Sequence, residues 1–305
     1  MSRSFLYELL ADPVTGEDLF LNESAGELES KYSERKYQIV KSIPRILINE
    51  NQEVTRSALH KEHGSDYKYL EHYQKDADIF SYSEQDLSRS TKDEFARLRE
   101  SIVAEITSDL QIVLDAGCGN GWASKKLIPL GKKVISMDIS STNPERAVEE
   151  LPNENHAGLI ADVYNLPLKA GSVDCIIASE ILEHVPDPKL FIARLIRVLK
   201  PGGKLIITVP YKEKIEHYLC VHCNKPTPRS AHLHSFDEKV FKELLPQDRV
   251  VWTSRKLINK YISRLRTYIF LSYLPFSFWR IIDRSFNRII NQPTRLQIVV
   301  KKTQK

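Results

Sequence analysis

Between Ile112 and Pro210, short β-branched runs alternate with amphipathic stretches, and this alternation constrains the fold more than any other feature of the chain. IVLDAG reads as a buried strand, WASKKLIPLG as a helix closed by Gly131, and KVISMDIS as a second strand. A helix follows from about Pro144, and GLIADV is the third strand. SVDCIIASEIL contains the fourth, KLFIARLIRVLK is an amphipathic helix ending at PGG, and KLIITVP is the fifth. Further on, FDEKVFKELL reads as a helix, VVWTSRKL as a sixth strand and TRLQIVVKK as a seventh. Strands alternating with helices predict a parallel sheet covered on both faces, an α/β Rossmann-like fold.

The first turn of this pattern carries the chemistry. VLDAGCGNG puts Gly117, Cys118, Gly119 and Gly121 between a strand and a helix. Glycines there let backbone approach a ligand, and the helix N-terminus offers free N–H groups. Dinucleotide folds use a related turn with GxGxxG spacing, so the turn alone does not decide the ligand. Carboxylates at three strand ends add to it. Asp115 can face a cationic α-amine. Asp138, followed by Ile139, can accept two bonds from a ribose diol. Asp162 can accept from an adenine amino group while the Val163 N–H meets a ring nitrogen.

Taken in order, VLDAGCGNG, MDIS, ADVYNLP, SVDCIIASEILEHVPDP and LKPGGKLIITVP resemble a class I S-adenosylmethionine-dependent methyltransferase, of the branch that includes the ubiquinone and menaquinone C-methyltransferases. The resemblance covers residues 111–210. It implies a seven-stranded sheet in the order 3-2-1-4-5-7-6 and S-adenosylmethionine as cofactor, with Asp138 on the ribose, Asp162 on the adenine and the Gly117–Gly121 turn against the methionine moiety.

Methyl transfer from a sulfonium is an in-line displacement, so positioning supplies much of the rate and a base is needed only if the acceptor carries a proton. Ser179, Glu180, Glu183 and His184 follow the fourth strand. Ser179 is expected on the cofactor side. His184 is the natural general base by its pKa, and a structural or cofactor-side role stands beside that reading because EHV is common here in the resembling families. No Asn/Asp-Pro-Pro-aromatic motif follows the strand, which argues against exocyclic-amine acceptors.

A second group of candidates lies in LCVHCNKPTPRSAHLHSF. Its C-x2-C-x8-H-x-H spacing can place Cys220, Cys223, His232 and His234 around a tetrahedral zinc ion, with His217 or His222 as substitutes. The alternative is an unligated loop in which His232 and His234 join the acceptor site.

Residues 1–50 read as a small β-rich unit. They resemble the zinc-ribbon-like fold of the small activator subunit of tRNA methyltransferases, which also occurs fused before bacterial methyltransferase domains. That resemblance lacks the cysteines: Asp12 and Thr15 flank Pro13 in place of the first pair, and Ser30 and Ser33 precede Tyr37 in place of the second. Residues 51–108 form a polar, helix-prone connector. DYKYLEHYQKDADIFSY packs on the catalytic domain or forms a lid, and TKDEFARLRESIVAEI has Phe95, Leu98, Ile102, Val103 and Ile106 on one helix face. Residues 109–305 then form the methyltransferase domain, with insertions at 212–236 and 260–292.

Charge is uneven. Val251 to Lys305 contains twelve Lys and Arg against one acid, Asp283, a net +11 that leaves −7 for the remainder of a chain of total +4. Tyr268, Phe270, Tyr273, Phe276, Phe278 and Trp279 lie among Arg264, Arg266, Arg280, Arg284 and Arg288. Three readings fit: a helix covering the sheet edge, an interfacial segment on anionic lipid, or an RNA-stacking surface. The expected function is methyl transfer to a small or amphiphilic, lipid-linked acceptor, with tRNA or rRNA as the alternative. The absence of a leader-like or membrane-spanning run and four unevenly placed cysteines predict a cytoplasmic protein, peripheral to the inner membrane face if the tail contacts lipid.

Overall fold

The computed structural model describes residues 5–48, 68–80, 87–221 and 224–304. Thirteen strands are described: β1 (Leu19–Asn22), β2 (Glu27–Ser30), β3 (Lys36–Val40), β4 (Ile43–Ile46), β5 (Ile112–Ala116), β6 (Lys133–Asp138), β7 (His156–Ala161), β8 (Val173–Ser179), β9 (Leu199–Pro210), β10 (His217–Leu219), β11 (Pro226–Pro228), β12 (Val250–Asn259) and β13 (Pro293–Lys302). Eleven of them form one sheet in the order β1-β2-β3-β4-β7-β6-β5-β8-β9-β13-β12, and β10 and β11 pair separately. The run from β7 to β12 is the expected seven-stranded order, with β13 antiparallel to both β9 and β12. The chain therefore has the Rossmann-like class I methyltransferase fold.

Local chemistry explains the elements. In helix Pro188–Val198, Phe191, Ile192, Leu195, Ile196 and Val198 turn to the core, and the Asp187 side chain caps the first turn by accepting from the Leu190 amide. β5 and β7 are buried along nearly their whole length, as central parallel strands must be. Helix Trp122–Leu127 passes into a 3-10 turn, Ile128–Leu130, which Gly131 closes as expected.

The N-terminal strands do not stand apart. β4 pairs in parallel with β7, Arg45 opposite Ile160 and Ile46 opposite Ala161, so the expected ribbon-like unit prolongs the main sheet at its β7 edge. Phe5–Leu9, expected within a strand region, is a short 3-10 helix. Three of the four positions where the resemblance has cysteines meet at the Asp12 carboxylate. Asp12 Oδ1 accepts from the Val14 and Thr15 amides at 2.8 and 3.0 Å, and Oδ2 accepts from Ser33 Oγ at 3.2 Å and Tyr37 Oη at 3.1 Å. Ser30 Oγ donates to Glu17.

The 260–292 insertion folds into helices Lys260–Arg264, Tyr268–Leu271 and Phe276–Ile289. Its inner side is fixed. Trp279, 2% exposed, stacks on Phe276 and lies 5.4 Å from the Arg97 guanidinium, which donates to the Leu271 and Leu274 carbonyls. Asp283, the one acid of the tail, is buried and accepts from the Ile258 and Asn259 amides. Burial raises its carboxyl to about 6. The outer side exposes Phe270, Tyr273, Phe278, Ile281 and Ile289. Among the described residues no helix is long and apolar enough to cross a membrane.

Candidate functional site

The ends of β5, β6, β7 and β8 open on a cavity of about 680 Å³. Parallel strands present their C-terminal ends and the loops after them on one edge of the sheet, which is where such folds bind ligands. Of the sequence-predicted cofactor residues, Gly117, Cys118, Gly119, Asp138, Ile139, Val163 and Ser179 line this cavity. Asp115, Gly121 and Asp162 do not line it.

The glycine turn is shaped by its neighbours. Gly117 has φ +81°, a left-handed conformation that favours glycine, and a Cβ there would stand 2.5 Å from Ile181 Cδ1, which would have to move. Gly121 begins the helix Trp122–Leu127 at φ +67°, and its Cβ would stand 3.0 Å from Ala147 Cβ. Its role is close packing against the helix Thr142–Glu150.

Each carboxylate is held in its own way. Asp138 Oδ1 accepts from Ser140 N and Oγ, and Oδ2 from Asn143 Nδ2 at 3.1 Å, which fixes the carboxylate at the strand end. Asp162 accepts from the Tyr164 amide at 3.0 Å, and burial raises it to about 6. Asp115 is 1% exposed with Oδ2 unpartnered. Burial first, then the Asp138 charge, push its carboxyl up to about 8. A buried acceptor in that state favours a cationic donor. The glycine turn at Gly117 and the oriented Asp138 in the lining fit S-adenosylmethionine, with the unsatisfied Asp115 behind them.

The roof of the cavity comes from the connector, for whose first stretch packing on the domain and a lid were both open, but whose individual site residues the sequence did not single out. Helix Tyr69–Ile79 brings Tyr69, His72, Tyr73 and Asp76 into the lining, and helix Arg89–Val103 adds Phe95, Leu98 and Arg99. Tyr73 Oη donates to the His184 carbonyl at 3.2 Å, and Gln74 Oε1 accepts from the Ser141 amide at 2.9 Å. The first helix thus ties the loop after β6 to the turn after β8. Its Tyr, His and Asp residues at helical spacing were the available signal.

At the far end of the cavity the turn after β8 meets the loop before residue 236. Glu180 sits at φ +53°, an uncommon conformation for a side chain of its size. Its Oε2 pairs with Arg295 Nε at 2.7 Å. Glu183 is 1% exposed, and burial first and the Glu180 charge second raise its carboxyl well above the usual range. Burial and the neighbouring His232 lower His184 to about 4, so its imidazole is neutral. The His184 and His232 rings are edge to face with centroids 4.7 Å apart. A second cavity, of about 750 Å³, shares Phe95, Glu180, His184 and His232 with the first and also touches Lys260 and residues 291–295, the root of the insertion.

The expected Cys220–Cys223–His232–His234 zinc centre is not assembled among the described residues. Cys223 and the substitute His222 lie outside them. Cys220 is half-buried and His217 is exposed. His232 Nδ1 bonds to Glu213 Oε2 at 2.5 Å, and His234 Nε2 bonds to the Val185 carbonyl at 2.9 Å. The imidazoles therefore face the β8 turn; of the two that the alternative reading put at the acceptor site, His232 lines the cavity beside His184 and His234 lines neither cavity.

Residues 114–207 match the methyltransferase domain family. The chain is 37% identical over 102 residues to a ubiquinone biosynthesis O-methyltransferase of Xanthomonas axonopodis pv. citri, a match covering 32% of this chain and 41% of that protein. The curated relatives it resembles are spanned for only 29% to 47% of their lengths. A Listeria monocytogenes structure assigned as an S-adenosylmethionine-dependent methyltransferase superposes with a TM-score of 0.51 at 12% identity, covering 69% of this chain and all of that one. A chain from the Haloferax volcanii complex between the Trm112 methyltransferase activator and a methyltransferase gives 0.50 at 15% identity, covering 78% of this chain and 97% of that one. Geometry and comparison agree that this protein carries a methyltransferase domain of the class I fold.

Proposed function

We propose that this chain transfers a methyl group from S-adenosylmethionine to a small amphiphilic acceptor. The observation that carries the reading is the wall shared by the two cavities: one is built on the glycine turn and strand ends, the other opens at the root of the basic, aromatic insertion. When bound in the first, S-adenosylmethionine supplies a methyl group made electrophilic by the sulfonium. Gly117 to Gly119, Asp138, Ile139, Val163 and Ser179 would hold it, with Asp115 behind them. The acceptor's polar end is received by the neutral imidazole of His184 and by the His232 ring beside it, beneath the helix roof.

The outer side of the insertion supports an amphiphilic acceptor. Phe278, Ile281 and Ile289 are 62%, 63% and 82% exposed, beside Arg284 and Arg288. Apolar side chains among arginines match the boundary of an anionic bilayer.

Calorimetry should show S-adenosylmethionine binding that weakens by about 100-fold in Asp138→Ala, from the loss of charge-assisted bonds. No binding to the parent chain would end the reading. Flotation with vesicles should rise with anionic lipid content and fall about tenfold in Phe278→Ser/Ile281→Ser. Flotation indifferent to lipid charge removes the membrane part, and tRNA binding with a steep salt slope replaces it with RNA.

A further inference from the structure

Two independent observations meet at the wall between the cavities. Donor atoms of Glu183, His184 and His232 lie within 4.8 Å of one another, and among the described residues this is the one such group of three His, Cys, Asp or Glu. Two of these side chains also keep a buried atom unused. Glu183, 1% exposed, keeps Oε2 buried without a partner, and His184 Nδ1 is likewise buried and unpartnered. An orphaned acceptor in a dry site costs about 1–3 kcal/mol, so two side by side point to something that binds between them.

The rest of the two rings is held from outside. The His184 ring packs edge to face against His232, with centroids 4.7 Å apart. His232 Nδ1 bonds to the Glu213 carboxylate, which fixes one edge of its ring. Imidazoles that ligate metals are held in this manner, one nitrogen fixed by a carboxylate or carbonyl and the other free. The Leu233 amide donates to the Glu183 carbonyl at 2.7 Å, locking the 231–234 loop against the β8 turn. Charge agrees with geometry. Glu180 and Glu213 stand beside Glu183, and the cation paired there is Arg295, on Glu180.

We propose that Glu183, His184 and His232 form a binding site for a divalent first-row cation such as manganese, cobalt or ferrous iron, with open coordination positions facing the acceptor side. Two imidazoles and one carboxylate suit such ions, and three protein ligands leave room for an outside oxygen. The acceptor class that fits is a hydroxyl compound. Its oxygen coordinates the cation, which lowers the hydroxyl pKa, and the proton passes to solvent through the second cavity. The acceptor assignment rests on the methyl-transfer reading, whereas the cation site does not.

The test uses the full chain, stripped with chelator and free of S-adenosylmethionine and acceptor. Titration with MnCl2 by calorimetry, and with CoCl2 by visible absorption, should give about one ion per chain. Affinity should fall at least about 100-fold in His232→Ala and in Glu183→Gln, and about tenfold in Glu213→Gln, which leaves every ligand in place and so tests the site even where a ligand variant does not fold. Cys220→Ser should bind as the parent does. S-adenosylmethionine affinity, measured on each variant, reports that it is folded. Binding well below one ion per chain, or equal affinity in the parent and a folded His232→Ala, overturns the site. Loss of the ion in Cys220→Ser also overturns it, by placing the ion on the thiol loop. A chain that binds manganese but not S-adenosylmethionine keeps the site and loses the methyl-transfer reading, and the reverse result does the opposite.

Discussion

Two buried polar clusters in this protein are built from similar groups and end in opposite states. At the N-terminal edge, Asp12 is 1% exposed and receives two amides and two hydroxyls. At the cavity wall, Glu183 is equally buried, yet one oxygen has no partner, and the neighbouring His184 leaves a ring nitrogen bare. A satisfied cluster stabilises the fold it sits in, while an unsatisfied one costs stability and persists where a ligand completes it. The difference separates a structural site from a functional one without reference to any family.

The contrast is broken or sharpened most strongly at the wall. Glu183→Gln keeps the shape and removes the carboxylate, so kcat should fall by at least about 100-fold. Stability in urea should change by less than about 1 kcal/mol, because the isosteric amide breaks no bond at the unpartnered oxygen. A variant that loses stability with kcat intact would place Glu183 in the structural class.

At the N-terminal edge the opposite pair of results is expected. Asp12→Ala leaves the Tyr37 and Ser33 hydroxyls and two amides without their acceptor, which should cost about 2–4 kcal/mol in denaturant unfolding. Affinity for S-adenosylmethionine in the folded fraction should hold within about twofold. A tenfold loss of that affinity would show that the β1–β4 edge communicates with the cavity through the β4–β7 pairing.

What could be read from the sequence divides along the same line. The cofactor turn was legible because its signals are local: an apolar strand, glycines and a carboxylate within nine residues from Val113 to Gly121. The core strand order followed from the resemblance. The joining of β4 to β7 was not legible, since it pairs Ile46 with Ala161 and no spacing rule reaches across that distance. His232 kept two readings for a related reason. Spacing groups it with Cys220, but folding carries it to His184 and turns its other nitrogen to Glu213. Asp283 offered a signal that was noted only as charge. A single acid among twelve bases is the residue the insertion uses to hold the Ile258 and Asn259 amides.

Acidity gives a smaller and more selective effect. Burial alone would raise the Asp12 carboxyl, but the bonds from Thr15, Val14, Tyr37 and Ser33 together outweigh it and leave the pKa below the ordinary value. A carboxyl lowered by folding contributes stability that is complete above its unfolded pKa, about 3.9, and is lost as pH falls through the folded value. Urea unfolding of the parent and Asp12→Asn should therefore differ most at pH 7 and converge as the pH is lowered past 3. A difference that grows towards acid would reverse the sign and remove Asp12 from the satisfied class.

The smallest effect belongs to Tyr37→Phe, and it probes the comparison at a single bond. The ring is 7% exposed, and its hydroxyl donates to Asp12 Oδ2 at 3.1 Å. The substitution keeps the packed ring and removes one donor from a carboxylate that retains three others, so the loss should be that of one hydrogen bond to a charged group, about 1–2 kcal/mol. The Asp12→Ala/Tyr37→Phe double variant should then cost little more than Asp12→Ala alone, because the hydroxyl has already lost its acceptor. Full additivity would mean that the two residues stabilise the edge independently, and the cluster would no longer be a network. A coupling close to the single-bond cost identifies it as one, held together by hydrogen bonds at the positions where the resembling ribbon has cysteines.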